Sequence, residues 1–365
     1  MKPKVLVISS YPAPYRVGVF KELSKSYETE IYFDTCSNEN RSPEWFCKSN
    51  EFHFEILDNQ ESIDHFKKAL KQIKKYDFVI AYDPTLKPAM RAIFLCRLKR
   101  IPYFVNNDGA IIRKNFIRDH IKKFLYRGAT ACFSSGRSAT AYYRYYGIDS
   151  SKIFEHKFTS LDEKDILKSP ISDEEKKDLR KQLNLPDKVT FISIGQFIPR
   201  KGFDVLIKAW EKIGDDAHLL IIGGGDERAS YEQYINEHNI KGITIIDFMP
   251  KDELFKYYCA SDVFVLPTRE DIWGLVVNEA MAVGLPVITT DNCVAGLELI
   301  ENDLNGYIVP VEDYNELSDK MLLLLNNNDL RKKIAINNLN KISGWTIEEI
   351  AKRHVEAINQ TLRLK

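Results

Sequence analysis

Two cations stand just before a predicted helix in the segment GQFIPRKGFDVLIKAW. A strand is predicted to end at Gly195, and Arg200, Lys201 and Gly202 lie in the short loop that follows it. Fixed positive charge beside the unpaired N–H donors of a helix N-terminus is a combination that binds a diphosphate. The alternative is a solvated basic turn, and the next informative segment favours the first interpretation.

That segment, PTREDIWGLVVNEAMAVGLPVITT, places an acidic loop between a strand and a helix. Glu270 and Asp271 lie in the loop, and the backbone amides at the helix start belong to Trp273, Gly274 and Leu275. Amides in this position point toward the place where an anion would bind. The loop and the helix start therefore predict one side of an anion site.

Glu279 lies about one and a half turns into this helix, which is predicted from 274 to 283. Its neighbours on the helix include Val277, Ala280 and Met281. A carboxylate among apolar residues is costly unless it is paired or bonded to a ligand, and ribose hydroxyls would satisfy it. An acidic loop before a core helix explains Glu270 well but does not explain Glu279.

A run of three glycines, Gly223, Gly224 and Gly225, follows a strand and precedes a helix. Backbone amides in such a place can contact phosphate, although a tight turn at the end of a strand explains the run equally well. The dinucleotide fingerprint needs a third glycine where Arg228 stands, so a nicotinamide enzyme is disfavoured. The sequence contains neither G-x-x-x-x-G-K-[ST] nor an Asp-x-Asp pair, which disfavours a P-loop enzyme and a metal-bound diphosphate.

These loops lie in a chain where apolar runs of strand length alternate with helical segments, the pattern of parallel sheets covered by helices. The pattern stops at a charged stretch after about residue 160 and then starts again. We therefore predict an α/β protein of two doubly wound Rossmann-like domains facing a cleft. The predicted domains are 1–165, with a final helix at about 349–365 packing back on it, and 166–348. Ligands in such sheets bind at the carboxyl ends of the strands.

Composition excludes several classes of protein. The chain has 365 residues, with 52 Lys and Arg against 52 Asp and Glu, so it lacks the basic excess of a general nucleic-acid binder. No apolar run reaches the ~18–20 residues that span a bilayer. The six cysteines lie far apart, without a C-x-x-C pair, at positions 36, 47, 96, 132, 259 and 293. We predict a cytoplasmic protein without disulfides or zinc.

The sequence resembles the retaining glycosyltransferases of family 4, which have the GT-B fold. Members carry an E-x7-E motif in a context that DIWGLVVNEAMAVGLPVI matches almost throughout, and a G-R-x-x-x-x-K-G motif that reads GQFIPRKG here. The resemblance runs through nearly the whole chain and is strongest from 189 to 310. It implies transfer of a sugar from a nucleotide-diphosphate sugar to a hydroxyl of a saccharide or lipid-linked acceptor, in polysaccharide or glycolipid assembly.

The resemblance also implies roles for individual residues. Lys201 would bind the donor diphosphate, Glu279 would bond the nucleotide ribose, and the first acid of the motif would contact the donor sugar. The remaining donor-binding candidates are Gly195, Gln196, Gly223, Gly224, Gly225, Glu270, Trp273, Gly274 and Leu275. The leaving diphosphate would help to deprotonate the incoming hydroxyl, so catalysis would need neither a covalent nucleophile nor an obligatory metal or cofactor.

Departures from the family pattern affect both halves. The first acid, eight residues before Glu279, is Asp271, whose shorter side chain leaves open whether Glu270 takes its place. The arginine expected after Gly195 is Gln196, so we assign its charge to Arg200. We count Asp271, Lys201, Arg200 and Glu279 as the catalytic set.

In the first half, Asp108 stands where relatives often have a histidine near the reacting end of the sugar. The first loop, YPAPYRVG, lacks the double glycine common in the family, and a Pro-x-Pro-Tyr-Arg form occurs in polysaccharide-assembling members. Tyr15, Arg16, Gly18 and Asp108 are therefore acceptor-side candidates. A rigid turn bounded by prolines explains Tyr15 and Arg16 equally well.

A basic stretch lies in the first half: residues 87–127 contain eleven basic residues and two acidic ones. Within it, RKNFIRDHIKKFLYRG (113–128) reads as a helix whose apolar residues are Phe116, Ile117, Ile121, Phe124 and Leu125. Such a helix could lie on an anionic membrane at its inner face, or pack on the sheet with a solvated basic rim. Residues 1–165 carry 28 basic and 20 acidic residues, a net +8, so the rest of the chain carries −8.

Two alternatives to a transferase stay open. One is a sugar-nucleotide epimerase of the same fold, which would need acid and base side chains that the sequence does not reveal. The other is a non-catalytic sugar-nucleotide-binding partner subunit, which Gln196 and Asp271 would permit.

Overall fold

Parallel strands buried on both faces form the centre of each half of the chain. We describe a computed structural model that covers residues 2–36, 46, 52–108, 112 and 114–363. The described chain divides into two units, one made of Met1–Ser160 with Trp345–Lys365 and the other of Leu161–Gly344. Arg113 and Cys47, which belong to the predictions above, lie outside the described residues.

In the described part of the first unit, one sheet contains strands β1 to β7 in the order β3-β2-β1-β4-β5-β6-β7. The strands are β1 Lys4–Ser9, β2 Glu28–Phe33, β3 Glu55–Ile56, β4 Phe78–Tyr82, β5 Tyr103–Asn107, β6 Ala131–Ser134 and β7 Ile153–Glu155. The helices between them are α1 Pro14–Leu23, α2 Gln60–Lys71, α3 Lys87–Lys99, α4 Phe116–Arg127 and α5 Arg137–Tyr145. Every described strand pair is parallel, and the central strands β4, β5 and β6 are wholly buried. Both faces must therefore be covered by helices, as their continuous apolar runs predict.

The second unit repeats this plan. Its described sheet has the order β10-β9-β8-β11-β12-β13. The strands are β8 Thr190–Gln196, β9 His218–Gly224, β10 Ile243–Ile246, β11 Val263–Leu266, β12 Val287–Thr290 and β13 Gly306–Val309. The helices are α6 Asp173–Gln182, α7 Phe203–Trp210, α8 Arg228–Glu237, α9 Lys251–Ala260, α10 Leu275–Ala282, α11 Val294–Leu299, α12 Tyr314–Leu325 and α13 Asn328–Ile342. The two Rossmann-like α/β halves predicted from the sequence are confirmed.

The last helix, α14 (Ile347–Leu362), belongs to the first unit and packs against α1. Thr346 caps it by accepting a hydrogen bond from the amide of Glu349. Ile347 fills the space beside Gly18, where a Cβ would lie 3.1 Å from its Cδ1 atom. A larger residue at position 18 would thus need the Ile347 side chain to shift by a few tenths of an ångström.

The segment after Ser160 packs with the second unit, whereas the sequence pattern predicts a domain boundary after residue 165. Asp165 accepts a hydrogen bond from Lys251, and the amide of Leu167 donates to Ala282. Farther along, Ser172 with Glu175 three residues on has the spacing of a helix capping box, and the structure confirms it, because the amide of each residue bonds the other's side chain.

Other predicted elements differ in length from the observed ones. The apolar run FHFEIL (52–57) predicts a strand, but β3 contains only Glu55 and Ile56. The edge strand β7 was missed because its three residues are half-buried or exposed and give no apolar run. None of the described helices is both long enough and apolar enough to cross a bilayer.

Candidate active site

The strand order of the second unit places a crevice between β8 and β11. The chain leaves β8 toward β9 on one side, and after β10 it returns to β11 on the other side. Connections then diverge from this point, and ligands of doubly wound sheets bind at the carboxyl ends of such strands. The loop that follows β8 and the loop that follows β11 carry the predicted cations and acids.

The loop after β8 forms a single 3₁₀ turn, Pro199–Lys201, before α7 begins at Phe203. Gly202 joins the turn to the helix with φ of 69°. A Cβ there would lie 2.1 Å from the carbonyl oxygen of Pro267, so a larger residue would push the two loops apart. The glycine therefore lets the cationic turn approach the strand end of β11.

Backbone bonds fasten the loop after β11 to this turn. The carbonyl of Arg200 accepts hydrogen bonds from the amide of Arg269 at 2.8 Å and from the Thr268 hydroxyl at 3.0 Å. The Arg269 guanidinium bonds Asp204 in bidentate fashion at 2.9 and 2.7 Å and also bonds Glu312. Arg269 and Thr268 were not selected from the sequence, and they hold the cations of one loop against the acids of the other.

Lys201 and Asp271 form an ion pair at the centre of the two loops. Lys201 Nζ lies 2.5 Å from Asp271 Oδ2, and the two side chains are 11% and 12% exposed. Arg200 donates to the carbonyl of Glu270 at 2.6 Å, and its guanidinium lies 3.8 Å from Asp271 Oδ1. Asp271 thus faces the predicted diphosphate cations, and the Glu270 carbonyl accepts from Arg200.

The start of α10 lies on the same loop. Gly274 precedes the helix with φ of 97°, and a Cβ there would lie 2.9 Å from Cys293 Sγ. Trp273 is buried, and its indole N–H donates to Asn278 Oδ1 at 2.8 Å, which fixes the turn. The first amides of the helix, at Leu275 and beyond, are therefore presented by a rigid turn directly after Asp271.

Glu279 is half-buried on α10 and accepts a hydrogen bond from the Tyr258 hydroxyl at 3.0 Å. Burial and the neighbouring carboxylate hold the pKa of Tyr258 well above its usual range, so the phenol stays a donor. Both residues line a small pocket, whose other lining residues are Leu161, Lys251, Leu254 and Phe255. Tyr258 could not be identified from the sequence pattern, because it lies on another helix, α9.

The glycines at the ends of β8 and β9 lie beside each other. Gly195 pairs with Gly223 and Gln196 pairs with Gly224. A Cβ at Gly223 would lie 1.8 Å from the carbonyl oxygen of Gly195, whereas a Cβ at Gly224 would meet nothing within 4 Å. Gly225 has φ of 144°, and a Cβ there would crowd Phe197. Gly223 and Gly225 are therefore required for packing, and Gly224 leaves open space at the end of the strand.

Cys293 is a poor candidate for a nucleophile although it lies close to Asp271. Burial raises the pKa of its thiol to about 11, so it is protonated near neutral pH. Among the residues that the structure describes, no group of three or more His, Cys, Asp or Glu residues is placed to hold a metal ion.

Arg16 occupies the equivalent strand ends of the first unit, where the order again changes direction between β1 and β4. Its guanidinium donates to Ser9 and Ser10 at 2.7 Å each, to Asp83 at 2.9 Å and to Asp108. Although burial alone would lower it, the pKa of Arg16 is held above its usual range by Asp108 and its other neighbours. Arg16 is a buried anchor for two carboxylates.

Asp108 is the more enclosed of these two carboxylates. It also accepts hydrogen bonds from the Tyr15 hydroxyl at 2.8 Å and from Asn106 at 2.9 Å. The structure thus brings together Tyr15, Arg16 and Asp108, three of the four acceptor-side candidates. Gly18 lies instead at the contact with α14.

Asp83 is a residue of this site that the sequence pattern did not identify. It follows β4 with a positive φ of 57°, and its side chain is 33% exposed. Its position directly after a strand, at a carboxyl end of the predicted sheet, was the signal that could have revealed it.

Comparisons with known proteins agree with this arrangement. Residues 175–341 match the family described as glycosyl transferases group 1. An uncharacterized glycosyltransferase of Methanocaldococcus jannaschii is 33% identical over 145 residues, which are 40% of this chain and 40% of that protein. The chain thus spans less than half the length of this relative.

Two further comparisons extend over more of the chain. The N,N'-diacetylbacillosaminyl-diphospho-undecaprenol alpha-1,3-N-acetylgalactosaminyltransferase of Campylobacter jejuni is 22% identical over 250 residues, covering 68% of this chain and 65% of that protein. The structure of HepE from Anabaena in complex with UDP superposes with a TM-score of 0.79 at 16% identity, covering 99% of this chain and 100% of that one. Residues 175–341 of the second unit are thus similar to the group 1 glycosyl transferases, and the chain has the two Rossmann-like halves of a GT-B-type fold.

Proposed function

We propose that this protein transfers a sugar from a nucleotide-diphosphate sugar to a hydroxyl of a saccharide or lipid-linked acceptor, with retention of anomeric configuration. The reaction would serve polysaccharide or glycolipid biosynthesis. The observation that carries the proposal is the pairing of Lys201 with Asp271 beside the start of α10, at the switch point of the second unit. This pair lies within the residues that match the group 1 glycosyltransferases.

The names of similar proteins support the choice of substrates. HepE of Anabaena has been solved with UDP-glucose, and the Campylobacter relative is named for a diphospho-undecaprenol acceptor. A nucleotide sugar as donor and a saccharide or lipid-linked acceptor are the classes that we carry over to this chain.

In the proposed donor complex, Lys201 and Arg200 neutralise the diphosphate while the first amides of α10 donate to it. An ammonium group has three N–H donors, so Lys201 can bind phosphate and keep Asp271. Asp271 then stands where a sugar hydroxyl can donate to it, and Glu279 accepts from the ribose. As charge develops on the leaving diphosphate, these fixed donors stabilise it without rearrangement.

The proposed mechanism needs no obligatory metal, because two cations and a helix start stand where the leaving charge would form. It needs no covalent nucleophile either, since the leaving diphosphate can accept the proton of the incoming hydroxyl. Acceptor binding is assigned to the first unit, with Asp108 and Tyr15 as contacts. Arg16, which is buried, acts there as a positioning residue.

Turnover of a panel of nucleotide sugars tests the proposal. Release of nucleoside diphosphate with a glycosylated acceptor supports it, and the anomeric coupling in the product's NMR spectrum tests retention. A new nucleotide sugar would instead identify an epimerase, and binding without turnover would identify a non-catalytic subunit.

The Lys201→Ala and Glu279→Gln variants should each lower kcat/KM by about 10²-fold or more if these residues hold the donor. Lys208→Ala, which removes a lysine from the outer part of α7, is the matched control and should keep near-native rates. Because Lys201→Ala leaves Asp271 without its partner, thermal unfolding must show that the variant is folded. Near-native rates in both site variants would contradict the assignment.

A further inference from the structure

Helix α4 presents large apolar side chains to solvent. Four of its residues, Phe116, Ile117, Ile121 and Phe124, are 80%, 71%, 43% and 44% exposed. At 3.6 residues per turn they fall on one side of the helix, while Leu125 on another side is buried in the core. One of the two possibilities open from the sequence is that the apolar residues of this helix pack on the sheet. Leu125 does so, but the other four residues do not.

The neighbouring helix α3 extends this apolar surface. Phe94 and Leu98, one turn apart, are 56% and 68% exposed. Arg97 joins the two helices, because its guanidinium lies 4.0 Å from the centroid of the Phe124 ring and donates to the Phe124 carbonyl. We call the following exposed set the docking face: Phe94, Leu98, Ile112, Phe116, Ile117, Ile121 and Phe124.

Basic residues surround the docking face. On α4, Lys123 and Arg127 lie at one edge of the apolar row, and Arg118 lies near the other. The acid Asp119 lies on the side of α4 away from this row and accepts hydrogen bonds from Tyr145 and Tyr146 at 3.3 and 3.0 Å. The apolar row is thus bordered by positive charge.

The whole first unit shares this charge. Residues 1–160 and 345–365 contain 31 basic and 20 acidic residues, a net +11, while residues 161–344 contain 21 and 32, a net −11. The division observed in the structure therefore separates the charges more sharply than the predicted boundary at 165.

We propose that the docking face binds the surface of an anionic lipid bilayer, with α4 lying in the interface. Exposed Phe, Ile and Leu side chains would enter the boundary between headgroups and acyl chains, and the surrounding Lys and Arg side chains would contact anionic headgroups. The proposal goes beyond the transferase reaction and does not depend on it, since it concerns a surface of the first unit only.

Charge and side-chain type favour a bilayer over other partners. A twofold contact between two copies would bring cations against cations around the apolar row. Nucleic acid would engage the cations and could stack on phenylalanine, but it offers little to Leu98, Ile117 and Ile121. A bilayer interface satisfies the aliphatic residues and the cations together.

Co-sedimentation of the full chain with vesicles tests the proposal. Vesicles of phosphatidylcholine with 30% phosphatidylglycerol should bind the protein at low salt, and binding should weaken at 0.5 M NaCl. Pure phosphatidylcholine vesicles should bind it more weakly. Phe116→Trp adds a depth probe, because its emission should shift to the blue on binding and be quenched by brominated acyl chains.

Variants separate the apolar and the electrostatic contributions. Ile117→Ser with Ile121→Ser should weaken binding at least tenfold. Lys123→Gln with Arg127→Gln should weaken it about fivefold for each charge removed and reduce its dependence on salt. The matched control, Ile336→Ser with Lys333→Gln, changes an exposed isoleucine and a lysine on α13 and should bind as the unmodified chain does.

Four results would overturn the proposal: no binding of the unmodified chain to anionic vesicles at low salt, binding that the docking-face variants leave unchanged, equal losses in the control, or a Phe116→Trp signal that does not change on binding. A dimer in sedimentation velocity that Ile117→Ser with Ile121→Ser abolishes, without vesicle binding, would assign the face to a second copy. Circular dichroism and thermal unfolding verify that each variant is folded.

Discussion

At the scale of single residues, Lys201 and Asp271 show how a nearly buried charge is tolerated. Each is close to 90% buried, and each compensates the other's charge across 2.5 Å. Removing either partner would leave an uncompensated charge, which is more damaging than replacing both. The pair is therefore suited to a ligand that brings its own charge, because a phosphate can bind the lysine while the carboxylate accepts a hydrogen bond from a sugar hydroxyl.

Arg16 is also buried, but its guanidinium bonds several side chains rather than one. The sequence indicated a possible contact with the acceptor, but the side chain is 4% exposed and engaged with Ser9, Ser10, Asp83 and Asp108. These partners come from the ends of three strands that are distant in the chain. Its influence on an acceptor would pass through the carboxylates that it orients.

A pair of buried histidines in the first unit makes stability depend on pH. His354 on α14 and His156 after β7 have ring centroids 4.9 Å apart, and Tyr82 contacts His354 at 3.3 Å. Burial lowers the pKa of His156 to about 3, and burial together with His156 holds the pKa of His354 well below its usual range. Both rings are therefore neutral in the folded chain, while in the unfolded chain they titrate near 6.5.

The sign follows from proton uptake. Below pH 6.5 the unfolded state binds more protons, so the free energy of unfolding should fall by about 1.4 kcal/mol per pH unit for each histidine until the folded pKa is reached. Urea denaturation at pH 6 and pH 5 should show a slope smaller by about that amount in His354→Gln. A His238→Gln control removes an exposed ring and should keep the original slope. An unchanged slope in His354→Gln would contradict this account.

At the scale of elements, glycines decide how closely strands and loops approach. Gly223 and Gly224 are adjacent at the end of β9, yet only Gly223 faces backbone, the Gly195 carbonyl. The family pattern alone treated both as nucleotide contacts. In the structure, glycine is required for packing at position 223, whereas position 224 has room for a side chain.

Alanine at the two positions should therefore have different effects. Gly223→Ala should lower the free energy of unfolding by more than 1 kcal/mol, because a backbone atom at 1.8 Å cannot move aside cheaply. Gly224→Ala should leave stability within about 0.5 kcal/mol and, if this strand end lines the donor site, raise KM for the nucleotide sugar. Equal stability losses, measured by urea denaturation, would contradict the distinction.

Helices and strands were predictable to the extent that their own residues determine them. The strands β4, β8 and β12 are buried along nearly their whole length, so they can be recognised in the sequence as apolar runs. The short edge strand β7 does not, since pairing with β6 defines it. The apolar residues of α4 were visible in the sequence, but their exposure was not.

At the scale of the whole molecule, two units of similar plan carry opposite net charge, +11 and −11. The sum of zero for the chain conceals this division. The basic unit contains the docking face, and the acidic unit contains the Lys201 and Asp271 pair.

Nucleotide binding should accordingly protect one unit. Saturation with a nucleoside diphosphate should slow hydrogen exchange in the loops 195–202 and 267–279, and at 100 times Kd it should stabilise the site by about 2.7 kcal/mol. Lys201→Ala should lose this protection at the same nucleotide concentration. Protection confined to the strand ends around Arg16 would instead place the nucleotide site in the first unit.

The sequence alone specified the fold class, the repeated α/β plan, the loop with Arg200 and Lys201 and the acid-bearing helix, because these depend on local periodicity and short spacing. Only the tertiary structure paired Asp271 with Lys201, brought Tyr258 to Glu279, buried Arg16 among carboxylates and left the apolar row of α4 exposed. Those outcomes depend on which strands become neighbours, and strand order is set by long-range packing that no short segment encodes.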